Sequence, residues 1–240
     1  MFAIEGIASH KMELKQKHQG YGEENIEIAE IKPEEKGKEK GDEFHFKIFD
    51  RYDISDINVK DVALKPYINL DSRLLLKSQG RNLEKFGKAR VNIIERLANR
   101  IAVPGHVGKK HRIITSWGSG KYNKNMGTVM KAFEIIERKT KKNPIQVLVD
   151  AVENGSPKDE ITVIEHAGAR YPQAVDTSPM RRVDLALRWM VQGSYQRCFG
   201  KKKKMAESLA DEIIKAAEGN MESYSMSKKN EAEKSADSAR

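Results

Sequence analysis

The chain has 240 residues, of which 38% are hydrophobic and 33% charged, so it can form one large domain or two small ones with a modest core. Its net charge of +9 indicates an anionic partner. Cys198 is the single cysteine, which excludes an intrachain disulfide framework and a four-cysteine zinc site and favours a reducing, intracellular setting.

The basic residues are concentrated in one part of the chain. Residues 1–72 hold 11 basic and 16 acidic side chains, residues 73–142 hold 18 and 4, and residues 143–240 hold 15 of each. A surface that serves only solubility would mix the two signs, whereas the middle region has a net charge of +14. We therefore expect residues 73–142 to supply one anion-binding surface.

The N-terminal quarter has little regular periodicity. Residues 1–43 have many charges and few apolar anchors, which predicts a disordered extension. The alternating, aromatic-rich run Phe44–Phe49 predicts a short strand. Residues 50–72 predict an irregular segment packed on the body, with a turn near Lys65-Pro66.

Two glycine-containing basic segments flank the first predicted helix, Asn92–Ala102. In the first segment, residues 72–90, Gly80 and Gly87 permit close approach to a ligand, and Phe86 lies among the cations. Phosphate contact is the functional interpretation and an ordinary exposed loop is the alternative. The GSGK run of the second segment lacks the spacing of a nucleotide-binding P-loop. The cations of the two segments are Arg81, Lys85, Lys88, Arg90, Lys109, Lys110, Arg112, Lys121 and Lys124.

More helices and one hairpin follow. Apolar residues at three- and four-residue spacing predict helices over 125–139 and 144–155. Alternation over residues 160–176 predicts a β-hairpin with a tight reversal at Gly168, and Pro172 favours an edge strand.

A long amphipathic helix is predicted directly after the hairpin, with Ser178 as N-cap and Pro179 at its first position. A fifth helix begins at Lys201–Lys204 with Gly219 as its C′ residue, and a weak polar helix starts at Ser227. The predicted fold class is mainly α: a helical body of about five to six helices with a protruding two-stranded β-hairpin arm.

Residues suited to catalysis are scarce. None of the six histidines has metal-ligand spacing, and His106 and His111 lie in a basic segment that would repel a cation. Arg197 and Lys201 are cationic neighbours that favour a lower pKa of the Cys198 thiol, but no base is paired with it in the sequence, so we interpret Cys198 as a structural thiol. We therefore predict no enzyme activity, no cofactor and no metal site, and we regard an enzyme acting on RNA as unsupported. No apolar run is long enough for a membrane span, and there is no signal peptide pattern.

Basic and aromatic residues occur close together along the chain, a combination typical of recognition of folded or single-stranded RNA. Arg181, Asp184 and Arg188 share one face of the long helix, so Asp184 is expected to hold one arginine while the other meets phosphate. The aromatic residues near cations are Phe86, Trp117, Tyr122, Tyr171, Trp189 and Tyr195, with Trp189 interpreted as a core residue.

Three runs together resemble the ribosomal protein S7 family of the small subunit, in its archaeal and eukaryotic branch. They are SQGRNLEKFGKARVNIIERLANRI, NPIQVLVDAVEN, and the hairpin HAGARYPQAV with SPMRRVDLALRWMVQGSYQR after it. The ending LADEIIKAAEGN is also similar, and the resemblance covers roughly residues 44–240.

The resemblance implies a helical body with a hairpin arm and a cytoplasmic, ribosomal location. It implies a structural protein that binds small-subunit ribosomal RNA in the head and nucleates head assembly. The arm is expected near exit-site tRNA and the mRNA exit path, with neighbouring proteins of the head and platform as further partners and no membrane. Repression of its own mRNA through the same surface is the alternative.

Carried over by position, the resemblance assigns ribosomal RNA contacts to the two basic segments and to five later cations. It assigns the arm tip, on the tRNA and mRNA side, to His166, Gly168, Arg170 and Tyr171. Met180 departs from the arginine that bacterial members carry, and the acidic residues 1–43 are long for the family. The expected division is 1–43, 44–222 and a polar tail 223–240. The five later cations are Arg181, Arg182, Arg188, Lys201 and Lys202.

Overall fold

The computed structural model describes residues 47–72, 76–78, 83–105 and 118–240, without the His166 side chain. The predicted extension 1–43 and the start of the predicted strand lie outside these ranges. Within them the chain forms six α-helices and one antiparallel two-stranded sheet, which confirms the predicted mainly α class. The elements are α1 (Ile93–Ile101), α2 (Tyr122–Thr140), α3 (Pro144–Gly155), β1 (Asp159–His166), β2 (Ala169–Asp176), α4 (Pro179–Cys198), α5 (Met205–Ala217) and α6 (Tyr224–Ser238).

Asparagine side chains fix the starts of two helices as the sequence indicates. Asn92 Oδ1 accepts from Ile94 N at 2.9 Å, and Asn143 Oδ1 accepts from Ile145 N at 3.0 Å, so each satisfies a backbone donor of the first helical turn. Two predicted starts are wrong by three residues. Helix α2 begins at Tyr122, so Asn125 lies buried inside it and is not its cap, and α6 begins at Tyr224 with Ser223 as its cap. Helix α5 begins at Met205, directly after the predicted start at Lys201–Lys204.

The core is formed by the apolar faces of the first five helices. Phe133, Ile136, Leu148, Met190 and Leu209 are completely buried within it, as the helical spacing predicts. Burying a side chain of this size contributes about 1.5–3 kcal/mol, so these faces are the main source of stability.

The segment before the helices is fixed along α3 by hydrogen bonds. Asn143 donates to the Asp53 carbonyl at 2.7 Å, Gln146 accepts from Asn58 N at 2.9 Å, and Glu153 accepts from Lys60 N at 2.7 Å. Asn143 caps α3 and Gln146 and Glu153 lie within it, at spacings of three and seven residues, so the three side chains present one face to the segment. The irregular, packed segment is therefore confirmed, whereas the predicted strand is not: Ile48 and Tyr52 flank a tight turn and bond each other's backbone.

Strands β1 and β2 pair only with each other among the described residues, from Asp159 opposite Asp176 to His166 opposite Ala169. The two turn residues, Ala167 and Gly168, have φ of 51° and 78°, as a type I′ turn requires. Large apolar side chains remain exposed on both faces of the hairpin, so it extends from the body as a protruding arm.

Helix α6 is almost wholly polar, yet it packs against the body at its N-terminus. Glu212 of α5 is fully buried and accepts from Ser223 Oγ at 2.8 Å and from Ser225 N at 3.1 Å. A Cβ on Gly193 would lie 2.4 Å from Tyr224 Cβ, so the glycine permits close packing of α4 and α6. This packing explains how a helix that would fray in isolation is held in place.

Replacing Gly193 with alanine is expected to destabilise the protein by about 1–3 kcal/mol, because α6 must move to relieve the contact. Gly127→Ala is the matched control. Gly127 lies in α2, and a Cβ added to it would have no other atom within 4 Å, so its replacement should stabilise by about 0.5–1 kcal/mol through helix propensity. Urea unfolding of both variants measures the difference. Equal effects in the two variants would contradict close packing at Gly193.

Candidate nucleic-acid interface

The described end of the first basic segment, residues 83–90, presents an aromatic ring beside cations. Phe86 is 66% exposed and has a φ of 63°, a left-handed backbone that is uncommon for a bulky residue. Lys85 Nζ lies 5.4 Å from the Phe86 ring centroid. A ring exposed in this way next to an ammonium can stack on an unpaired base while the cation contacts phosphate.

Asp184 of α4 connects this segment to the helical body. Its Oδ2 accepts from Lys88 Nζ at 2.7 Å and its Oδ1 accepts from Arg96 Nη2 at 2.8 Å. Burial by itself would raise the pKa of Asp184, but these two hydrogen bonds outweigh it and hold that pKa below its ordinary value. The expectation that Asp184 holds Arg181 or Arg188 is therefore wrong: its partners come from other elements.

Two arginines at the start of α4 already have acidic partners. Arg181 binds Glu160 at the base of the arm through two hydrogen bonds, of 2.5 Å from Nε and 2.9 Å from Nη2. These bonds raise the pKa of Arg181 above its ordinary value. Arg182 is only 8% exposed, and its Nη2 donates to Asp61 at 2.8 Å and to Ser156 Oγ at 3.2 Å. Arg182 thus lies beneath the surface and stabilises the interior.

The remaining predicted cations are on the surface or outside the described ranges. Arg90 is exposed and pairs with exposed Glu84 at 3.0 Å, a contact that contributes little to stability and can exchange for another anion. Lys121, Lys124, Lys201 and Lys202 are exposed, the last two in the α4–α5 linker. Arg188 is exposed on α4. The predicted contacts that lie outside the described residues are Arg81, Lys109, Lys110 and Arg112.

The structure brings Lys88 and Arg188 to one groove, together with two arginines that the sequence interpretation missed. Arg96 and Arg100 of α1 line this groove between α1, α4 and the end of the basic segment. Burial, and secondly the charge of Arg188, lower the pKa of Arg100. The signal in the sequence was the four-residue spacing of Arg96 and Arg100, which puts both on the same face of α1.

The arm tip combines a cation with an aromatic ring. Arg170 lies 3.6 Å from Glu165, with both side chains well exposed, and Tyr171 is 58% exposed. Gly168 forms the turn between them and the end of β1. His166 pairs with Ala169 through the backbone ladder.

The Cys198 thiol is partly buried. Burial raises its pKa, and this effect exceeds the lowering by a backbone hydrogen bond and by the charge of Lys203. Among the described residues, no group of three or more His, Cys, Asp or Glu side chains could hold a metal ion. No helix in the described ranges is long and apolar enough to cross a membrane.

A rigid helical body, an exposed arm and a groove lined by cations are together typical of proteins that bind nucleic acid through a fixed basic surface. A family model described as ribosomal protein S7p/S5e matches residues 67–240. The chain is 47% identical over 195 residues to the small ribosomal subunit protein uS7 of Nanoarchaeum equitans. It is 44% identical to the uS7 proteins of Methanothermobacter thermautotrophicus and Cenarchaeum symbiosum, over 193 and 194 residues. These alignments cover 80–81% of this chain and 96–98% of the relatives.

The chain therefore belongs to the ribosomal protein S7p/S5e family. This confirms the resemblance seen in its sequence runs. The members of the family are structural components of the ribosome without enzymatic activity, so membership also confirms that the protein is not an enzyme.

Proposed function

We propose that this protein binds the ribosomal RNA of the small-subunit head and nucleates assembly of the head. The observation that carries the proposal is the concentration of cations in residues 73–142, with a net charge of +14. The relatives are named as small-subunit proteins, which supports the choice of RNA.

The helical body and the arm contact different partners in this proposal. The groove and the residues around Phe86 supply phosphate contacts and a stacking surface. The arm carries few charges and exposes apolar side chains, so it reaches a second neighbour: exit-site tRNA, the mRNA exit path or a protein of the head or platform. A cytoplasmic location within the ribosome follows from this role.

Binding of the full chain to an RNA fragment from the small-subunit head tests the proposal. Each neutralised phosphate releases counterions, so we expect the affinity to fall steeply as salt rises. At about 0.2 M salt, near physiological strength, the head fragment should still bind far more tightly than an unrelated RNA of equal length. Equal affinities for the two RNAs would contradict the proposal. A mainly ribosome-free pool in sedimented extracts would instead favour repression of its own mRNA.

Shortening the arm is expected to leave head binding intact while disturbing the exit site. Removing Ile164, Glu165, Arg170 and Tyr171 deletes two cross-strand pairs and keeps both the turn and the alternation of faces. The arm becomes about 7 Å shorter, from two residues per strand. The binding free energy for the head fragment should stay within about 0.5 kcal/mol of that of the unaltered chain, because effects at independent sites differ by no more than this. Occupancy of exit-site tRNA on reconstituted subunits should change. Loss of head binding would show that the arm belongs to the main RNA surface.

A further inference from the structure

A polar groove of about 220 Å³ lies between α1, α4 and the end of the basic segment. Its charged lining consists of Lys88, Arg96, Arg100, Asp184 and Arg188. Among the described residues, four cations therefore surround a single carboxylate. Such an imbalance in a partly enclosed site favours binding of an anion.

Asp184 cannot neutralise all four cations, because its two oxygens already accept from Lys88 and Arg96. Within the described residues, the guanidinium groups of Arg100 and Arg188 have no ion pair with a carboxylate. Their mutual repulsion contributes to the lowered pKa of Arg100, after burial. An anion between these two side chains would remove that repulsion.

Two buried donors in the groove also lack an acceptor. The Nε atoms of Arg96 and Arg100 are buried and have no hydrogen-bond partner among the described residues. Burying an N–H without an acceptor is costly, so this arrangement is unfavourable unless a ligand supplies oxygen atoms. The Arg96 side chain is only 2% exposed and is fixed by Tyr67 and Asp184, so it forms a rigid wall of the groove.

We propose that this groove receives one phosphodiester of the bound RNA, held between the guanidinium groups of Arg100 and Arg188. The inference rests on the proposed RNA-binding function and assigns one backbone phosphate to one site. Guanidinium groups match the oxygen pairs of a phosphate, and two of them bind a single anion with defined geometry. Asp184 orients the neighbouring cations and leaves the two outer arginines for the ligand.

The test compares Arg100→Gln, Arg188→Gln and the double variant of the full chain, titrated with the head RNA fragment at several salt concentrations. Each single variant should weaken binding about 10-fold, as for loss of one charged hydrogen bond. Each should also reduce the salt slope by about one unit. Because both arginines hold the same phosphate, the double variant should bind little more weakly than either single variant.

Lys234→Gln is the matched control, since Lys234 is exposed on α6 and does not line the groove. Arg188 is exposed, so its replacement should not affect folding, and thermal melting checks Arg100→Gln. Fully additive losses, or an equal loss in Lys234→Gln, would overturn the shared phosphate site. If both groove variants bind normally while Lys85→Gln and Arg90→Gln weaken binding, the groove assignment fails and the RNA-binding function stands. If none of these variants changes binding, the proposed function itself fails.

Discussion

Replacing Asp184 with alanine is expected to destabilise the protein by about 3 kcal/mol, because Arg96 is left charged and buried without its carboxylate. The variant also frees Lys88, so the basic segment loses its connection to α4. Affinity for the head fragment should therefore fall although the protein gains positive charge, while affinity for unrelated RNA stays the same or rises. Denaturant unfolding and paired RNA titrations measure the two effects.

Asp211→Ala is the control for Asp184→Ala. Asp211 also pairs with two cations, Lys139 and Lys203, but both lysine side chains are substantially exposed. Water can solvate both lysines once the carboxylate is removed, so Asp211→Ala should lower the free energy of unfolding by at most about 1 kcal/mol. A similar loss in both variants would show that burial of Arg96 does not determine the effect.

The stabilisation by Asp184 should depend on pH in a defined direction. Its pKa is lowered in the folded protein, so its contribution is fully present above the unfolded pKa of about 3.9 and is lost as the pH falls through the folded value. The difference in unfolding free energy between wild type and Asp184→Ala should be constant near neutral pH and shrink below about pH 4. A difference that grew in acid would contradict this assignment.

Replacing Asp61 with alanine is expected to cost about 3–5 kcal/mol, because Arg182 remains charged in an interior site without its partner. Arg182→Met alone should cost less, since Asp61 is partly exposed and water can solvate it. The double variant Asp61→Ala with Arg182→Met should recover much of the loss, because an apolar pair leaves no buried charge. Urea unfolding of the three variants gives the coupling energy. A double variant as unstable as the two losses added together would contradict the pairing.

RNA binding separates the role of Arg182 from that of the surface arginines. Arg182 was predicted as an RNA contact, yet it lies beneath the surface between Asp61 and Ser156. Arg182→Met, assayed where the variant is folded, should therefore keep the wild-type salt slope. A salt slope reduced by about one unit in Arg182→Met would instead show that Arg182 contacts an RNA phosphate.

Local pattern was sufficient for most of the secondary structure. Helix α3 followed from its apolar spacing and the Asn143-Pro144 start, and the hairpin followed from alternation around Gly168. The two misplaced starts, Asn125 and Ser227, differ in what was missed. In α2 the Asn125 side chain donates to the Gly118 carbonyl, seven positions earlier, from inside the helix. In α6 the first turn is held by a bond from Ser225 N to the buried Glu212 of α5, a contact between two helices that apolar spacing does not show.

By itself the sequence determined the fold class and the region that carries the positive charge, because periodicity and composition are properties of neighbouring residues. The family followed separately, from the resemblance of its sequence runs to known members. Only the tertiary structure decided which cations have acidic partners and which are open to RNA. The decisive pairs join residues 88, 96 and 121 positions apart: Arg96 with Asp184, Lys88 with Asp184, and Arg182 with Asp61. A charge is neutralised by what lies near it in space, so the same residue type becomes an interior support at Arg182 and a proposed phosphate ligand at Arg188.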